Sequence, residues 1–172
     1  MNKDSINLPA IPLRGITIFP NMIIHFDVGR EKSISALEES MLKDSKIFLV
    51  SQIDPEIEVP KRIEIYSIGT ICKIKQILKL PKGVTRVLVE GVERAAIIDL
   101  IDDKKFMEVV VEKIDDELTL KDENEDSALR NLLSKAFKEY IKVTEGDERK
   151  VIEVITKEEE LGKVTDLIAA YI

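Results

Sequence analysis

The chain has no tryptophan, one cysteine and one histidine among 172 residues, and aromatic residues make up only 5% of it. Each scarcity excludes something. With His25 alone, neither a Ser-His-Asp triad nor a multi-histidine metal site can be assembled. Flanked by Ile24 and Phe26, this histidine is expected to serve the structure. Cys72 has no partner for a disulfide and no base at hand to make it a nucleophile, so it is expected to be a small core residue. A reducing cytoplasm is then the simplest compartment. No apolar run approaches the ~18 residues of a membrane span, and residues 1–15 lack the apolar core of an export signal. The nearest approaches to a phosphate-binding loop, GREKS at 29–33 and KGVT at 82–85, lack its glycine and lysine spacing, and no G-x-S-x-G elbow occurs. The segment is read as non-catalytic, with no cofactor and no metal of its own.

What is present is enough apolar material for a core: 44% of residues are hydrophobic and 34% charged. That suits one domain of ordinary size, or one domain with a helical appendage. The net charge of −7 is local, because residues 115–126 (DDELTLKDENED) hold seven acids and one lysine. This stretch is expected to be a solvated linker.

The strongest local signal is 69–94, GTICKIKQILKLPKGVTRVLVEGVER. Two β-branched arms, 70–80 and 84–90, flank a Pro81-Lys82-Gly83 turn in which Gly83 can supply positive φ, so a long hairpin is predicted. Residues 1–7 are expected to be a flexible N-terminus, and Pro9 and Pro12 limit 8–13 to an edge or entry strand. Further strands are predicted at 22–28, 46–51, 94–100 and 106–114, with Gly91 breaking the chain between two of them and 102–105 as a turn, for roughly seven strands. The run 46–51 is apolar enough to be buried on both faces. A helix over 31–43 would bury Ile34, Leu37, Met41 and Leu42, and one helical turn is expected at 63–67. From Leu129 onward a 3.6-residue period through Leu132, Leu133, Ala136, Phe137, Tyr140 and Ile141 predicts a long helix, capped by Asp126 or Ser127. Shorter helices follow at 149–156 and from about Glu158 to Ile172, where the chain stops in helical phase on an apolar residue; a longer parent polypeptide is expected.

Three stretches carry a resemblance: IPLRGITIFPNM (11–22), VGREKSISALEESM (28–41) and above all IGTICKIKQILKLPKGVTRVLVEGVERAAI (68–97). In this order and spacing, with TDLIAAYI at 165–172, the chain resembles the N-terminal domain of the bacterial ATP-dependent protease Lon from Leu8 onward. Lys82 departs from the pattern, since the family's turn more often has an acidic residue or Asn there. The resemblance implies an α+β fold: a PUA-like, β-rich pseudo-barrel lobe (8–114) with one or two helices, then a C-terminal helical bundle segment (127–172), truncated here. It also implies a part that recognises unfolded or damaged polypeptides for a hexameric ATPase ring with a Ser-Lys peptidase domain. ATP, Mg and the catalytic dyad belong to parts with no matching positions in this chain, and partners are expected to be the protein's own ATPase and protease domains and other copies of itself.

A receptor for unfolded chains needs exposed apolar surface or a free strand edge. Two stretches offer candidates: Ile16, Ile18, Phe19, Pro20 and Met22 between two turns, and Ile77, Leu78, Leu80 and Pro81 at the hairpin tip. Most large apolar residues are buried, so about two thirds of these nine are expected in the core. Two other readings stand beside this one. The PUA-like resemblance and the basic hairpin residues Lys73, Lys75, Lys79, Lys82 and Arg86 suggest RNA binding, although the scarcity of aromatics leaves no stacking platform. On a regular strand Lys73, Lys75 and Lys79 would share one face, which a solvated sheet explains equally well. A stand-alone interaction or self-association module is the other alternative.

Overall fold

The computed structural model describes residues 5–101, 105–114, 123–143 and 149–172. They fall into two compact units, 1–115 and 116–172. The architecture is α+β, with six strands and four α-helices among the described residues. The first unit contains β1 (Ser5–Leu13), β2 (Ile23–Val28), α1 (Glu31–Leu42), β3 (Lys46–Ser51), β4 (Ile68–Lys79), β5 (Thr85–Ile101) and β6 (Met107–Lys113), and the second contains α2 (Glu123–Val143), α3 (Arg149–Lys157) and α4 (Leu161–Tyr171).

The strands follow the order β2-β5-β4-β3-β1-β6, and β6 pairs again with β5. Five strands therefore close into a ring, with β2 added alongside the first half of β5. All pairings are antiparallel except β1 with β3. The inside of the ring is filled by Leu8, Phe48, Ile71, Ile97, Met107 and Val109, among others. The alternate residues of the same strands, including Ile11, Ile47, Leu49, Cys72 and Val89, form a second core with Phe26 of β2 and with Ala36 and Leu37 of α1. Strand β3 contributes to both, which is why its sequence is apolar at successive positions rather than alternate ones. Burial pushes the Cys72 thiol up to about 12, as suits an inert core residue.

Several expectations are corrected. The chain does not break at Gly91: the arms 84–90 and 94–100 are one 17-residue strand, so the count is six rather than seven. A bulge is the reason that one strand can do two jobs. Ile71 opposes Glu93 and Cys72 opposes Gly91, which leaves Val92 as the extra residue. The bulge switches β5 from facing the α1 side with Val87 and Val89 to facing the ring interior with Ala95 and Ile97. Nor is β1 an edge. It lies between β3 and β6, with Pro9 opposite Glu108 and Pro12 opposite Val50. Their spacing of three directs the two missing N–H groups toward different neighbours, so each ladder loses at most one bond. The strand also begins at Ser5, inside the stretch expected to be flexible, because Ser5, Ile6 and Asn7 pair with Glu112, Val111 and Val110.

Helix α1 buries Ser33, Ala36, Leu37 and Ser40, with Ile34 partly covered, while Met41 and Leu42 are 47% and 83% exposed. Small residues at i, i+3 and i+7 let the helix approach the sheet closely, and the Ser40 hydroxyl is satisfied by donating to the Ala36 carbonyl at 2.8 Å. The expected helical turn at 63–67 is a 3-10 turn at Arg62–Glu64.

In the second unit Phe137, Ile141, Ile155 and Val164 form a shared core of the three helices, and the Tyr171 ring meets Phe137 edge-on at 5.4 Å. Helix α2 already runs from Glu123, so Asp126 and Ser127 do not cap it. Asp126 instead pairs with Arg130 one turn on, at 2.9 Å. Of the linker expected at 115–126, residues 123–126 are instead the first turn of α2, and 115–122 lie outside the described residues, as do 102–104 of the turn expected at 102–105 and the Gly146 break.

Candidate functional site

The two candidate stretches meet different fates. Residues 14–22 form a loop laid across β4 and β5, and it is tightly tied down. The amide of Asn21 donates to the Gly91 carbonyl at 2.9 Å and that of Gly91 to the Met22 carbonyl at 2.8 Å. The Thr70 hydroxyl donates to the Ile18 carbonyl at 2.5 Å. Gly91 is the residue that permits this contact, since a Cβ there would stand 2.2 Å from the Phe19 carbonyl oxygen. Ile18 and Pro20 are buried, Ile18 being only 5% exposed. Ile16, Phe19 and Met22 are half-buried; Ile16 and Met22 rest on the α1-side core. The Phe19 ring lies beneath the Arg94 guanidinium, 5.9 Å away. The loop's apolar residues mostly close the core.

The hairpin tip is more open. Leu78 is 52% exposed and Pro81 is exposed, Leu80 is half-buried, and Ile77 packs on the α1-side core. The turn itself has Lys82 at φ 63° and Gly83 at φ 77°. Two successive residues with positive φ explain why Asn or an acidic side chain suits the first of them better than Lys.

Leu78 belongs to a wider face that sequence reading missed. The solvent side of β2, β5 and β4 brings together Ile23 and His25, Leu88, and Gln76 and Leu78, in that order across the sheet. His25, Gln76, Leu78, Arg86 and Leu88 line a shallow cavity of about 310 Å³. His25 thus stands on the exposed face rather than in the core. Ile23, 66% exposed, sits at the start of β2, and among the described residues no strand pairs with that strand's outer edge. The clue was the alternation of Ile23, His25 and Asp27 with Ile24, Phe26 and Val28, which assigns one set to water.

Charges frame this face in pairs. Arg86 grips Asp27 through two bonds of 2.7 and 2.9 Å, and Lys75 meets Glu90 at 2.5 Å. The hydrogen bonds from Arg86 hold the Asp27 carboxyl below the usual carboxylate range, and the same pairing raises Arg86. The three lysines do not share a face. A register shift between Ile74 and Gln76 inserts Lys75 as an extra residue, so Lys79 points to the opposite side, where Glu38 of α1 is its neighbour at 3.9 Å. Among the described residues no His, Cys, Asp and Glu side chains gather as a metal site would need. No helix among them is long and apolar enough to cross a membrane.

The family model for the ATP-dependent protease La (LON) substrate-binding domain matches residues 7–172. The Lon protease of Clostridium acetobutylicum is 42% identical over 172 residues, covering 100% of this chain and 22% of that protein. Lon protease 1 of Bacillus subtilis is 39% identical over 166 residues, 96% of this chain and 21% of its own length. The chain thus spans about a fifth of the length of these relatives. Among solved structures, the N-terminal domain of the Mycobacterium avium complex Lon protease superposes with a TM-score of 0.70 at 17% identity, covering 97% of this chain and 84% of that one. At 17% identity that likeness speaks for the fold.

Proposed function

This chain belongs to the family of substrate-binding domains of the ATP-dependent protease La (Lon), and on that premise we propose that it captures unfolded or damaged polypeptides on the outer face of β2, β5 and β4. The observation that carries the assignment to this face is the exposure of Ile23 and Leu78, with Leu88 between them, beside an edge of β2 that no strand pairs with among the described residues. An unfolded chain differs from a folded one in offering apolar side chains and unpaired backbone, and this surface presents a counterpart for each. Paired charges around the apolar residues keep the face soluble without offering a strong field of either sign. The ring of strands is read as PUA-like and the three C-terminal helices as the start of a bundle. Passage of the captured chain to an ATPase ring and a Ser-Lys peptidase of the same polypeptide, assembly as a hexamer, and a cytoplasmic location belong to the same reading.

The test is a double substitution, Ile23→Ser with Leu78→Ser, assayed for binding to a carboxymethylated, permanently unfolded model protein. Both side chains already face water, so circular dichroism and the melting temperature are expected to stay the same. Affinity is expected to fall about three- to tenfold, as the partial loss of two apolar contacts implies. An unchanged affinity would reject this face as the binding surface.

A further inference from the structure

Away from that face, two cavities of about 340 and 370 Å³ adjoin, and Pro12, Arg14, Arg30 and Ser33 are in the walls of both. The second lies between the ends of β1 and β2, and its other walls include the apolar Leu13, Ile16, Phe26 and Val28 together with Asp27. Among the described residues the two arginines are held by neutral groups alone. Arg30 donates to the Gln52 side-chain oxygen at 2.8 Å, to the Glu58 carbonyl at 3.1 Å and to the Pro12 carbonyl, while Arg14 donates to the Ile57 carbonyl at 3.0 Å. Gln52 is itself buried and fixed by donating to the Asp54 and Ile57 carbonyls, so Arg30 has little freedom to move. Among the described residues neither guanidinium forms an ion pair with a carboxylate. Burial first, and the nearby charge of Arg14 second, lower the Arg30 pKa, as expected for two like charges with no anion between them. The other charged groups at hand are Glu31, Lys32 and Glu58 along the first cavity and Asp27 in the second, where Arg86 already engages it.

A guanidinium pair beside an apolar recess is complementary to a carboxylate attached to apolar side chains. We propose that this recess receives the free C-terminus of a polypeptide, the α-carboxylate on Arg14 and Arg30 and the last apolar side chains against Leu13, Ile16 and Phe26. Only at a chain end does the residue that bears the carboxylate also carry an apolar side chain, which favours the terminal carboxylate over an internal Asp or Glu. The inference rests on the reading of the domain as a polypeptide receptor but uses a separate surface. Chain ends would thereby be recognised independently of internal apolar segments.

The experiment is fluorescence anisotropy of the 172-residue chain with a labelled hexapeptide ending in Leu-Val, compared with its C-terminal amide and with an amide that carries one internal Asp. The free acid is expected to bind about tenfold tighter than either amide, the scale of charge-assisted hydrogen bonds. Arg14→Gln, at an exposed position, is expected to remove that preference while leaving the fold intact. Arg30→Gln should do the same, and circular dichroism on it separates lost binding from lost structure. Equal binding of acid and amide overturns the proposal, as does a preference that survives Arg14→Gln. Equal binding of the internal-Asp amide overturns the terminal source, and displacement of the peptide by inorganic phosphate at matching concentration would show a general anion site instead. If the peptides fail while the unfolded protein still binds through Ile23 and Leu78, the recess is rejected and the receptor face stands. Failure of both rejects both.

Discussion

At the residue scale, the pair Asp27–Arg86 shows how a single exposed contact can leave a measurable trace. Its two parallel hydrogen bonds span neighbouring strands, and they hold the Asp27 carboxyl below its ordinary range. A carboxylate depressed in the folded state stabilises that state fully above its unfolded value, about 3.9, and the contribution disappears as pH falls through the lower folded value. The prediction is that Asp27→Asn lowers the melting temperature at neutral pH, and that the gap from the unsubstituted chain closes on acidification below about pH 4. Both groups are solvent-exposed, so added salt should narrow the gap at neutral pH as well. A gap that is constant with pH would mean that Asp27 acts through something other than its charge. Sequence reading did not find this pair, because partners 59 residues apart are joined only once the β2–β5 register is known.

At the element scale, β5 carries most of the fold's logic, and it also marks where the sequence was legible and where it was not. The hairpin of β4 and β5, its Pro81–Gly83 turn and the doubly buried β3 could be read from β-branched density and a single positive-φ glycine. The apolar period that gave α2 was equally plain. Gly91 misled, because a glycine within a strand pattern reads as a break when its real cause is a neighbour in space. The Phe19 carbonyl occupies the place where a Cβ would be. Pro9 and Pro12 misled in the same manner, since their tolerance depends on which ladder each N–H would have served. Of the candidate residues, the tip members Leu78 and Pro81 are exposed, whereas the 16–22 loop is mostly a cover for the core, which only its docking on Gly91 could reveal. Gly91→Ala should therefore force the loop off the strand, costing about 1–3 kcal/mol, the range for an overpacked core site. Denaturant unfolding measures the cost, and added exposure of Phe19 and Met22 to solvent should accompany it. A substitution without effect would show that the loop yields without strain.

At the scale of the whole molecule, the balance of charge bears on the choice between the proposed capture of polypeptides and capture of nucleic acid. The net charge is −7, and affinity for a polyanion depends on cations that are grouped and not already neutralised. The hairpin's five basic residues form no such group. Arg86 is held by Asp27 and Lys75 by Glu90, and Lys79 lies on the far side near Glu38. The bulge at Lys75 divides what an ideal strand would have kept together. The half-buried Phe19 ring is already covered by Arg94, and Tyr66 is the more exposed aromatic of this unit. Non-specific nucleic-acid binders have dissociation constants of roughly 10⁻⁴ to 10⁻⁶ M at physiological salt. Titration of a labelled oligouridylate with the chain at about 150 mM salt is therefore expected to give no saturable anisotropy change in that range. Saturable binding that weakens steeply with added salt, and that is lost on replacing Lys73 and Lys82 with Gln, would show that these two lysines suffice. The face assigned to polypeptides would then have to be shared with RNA.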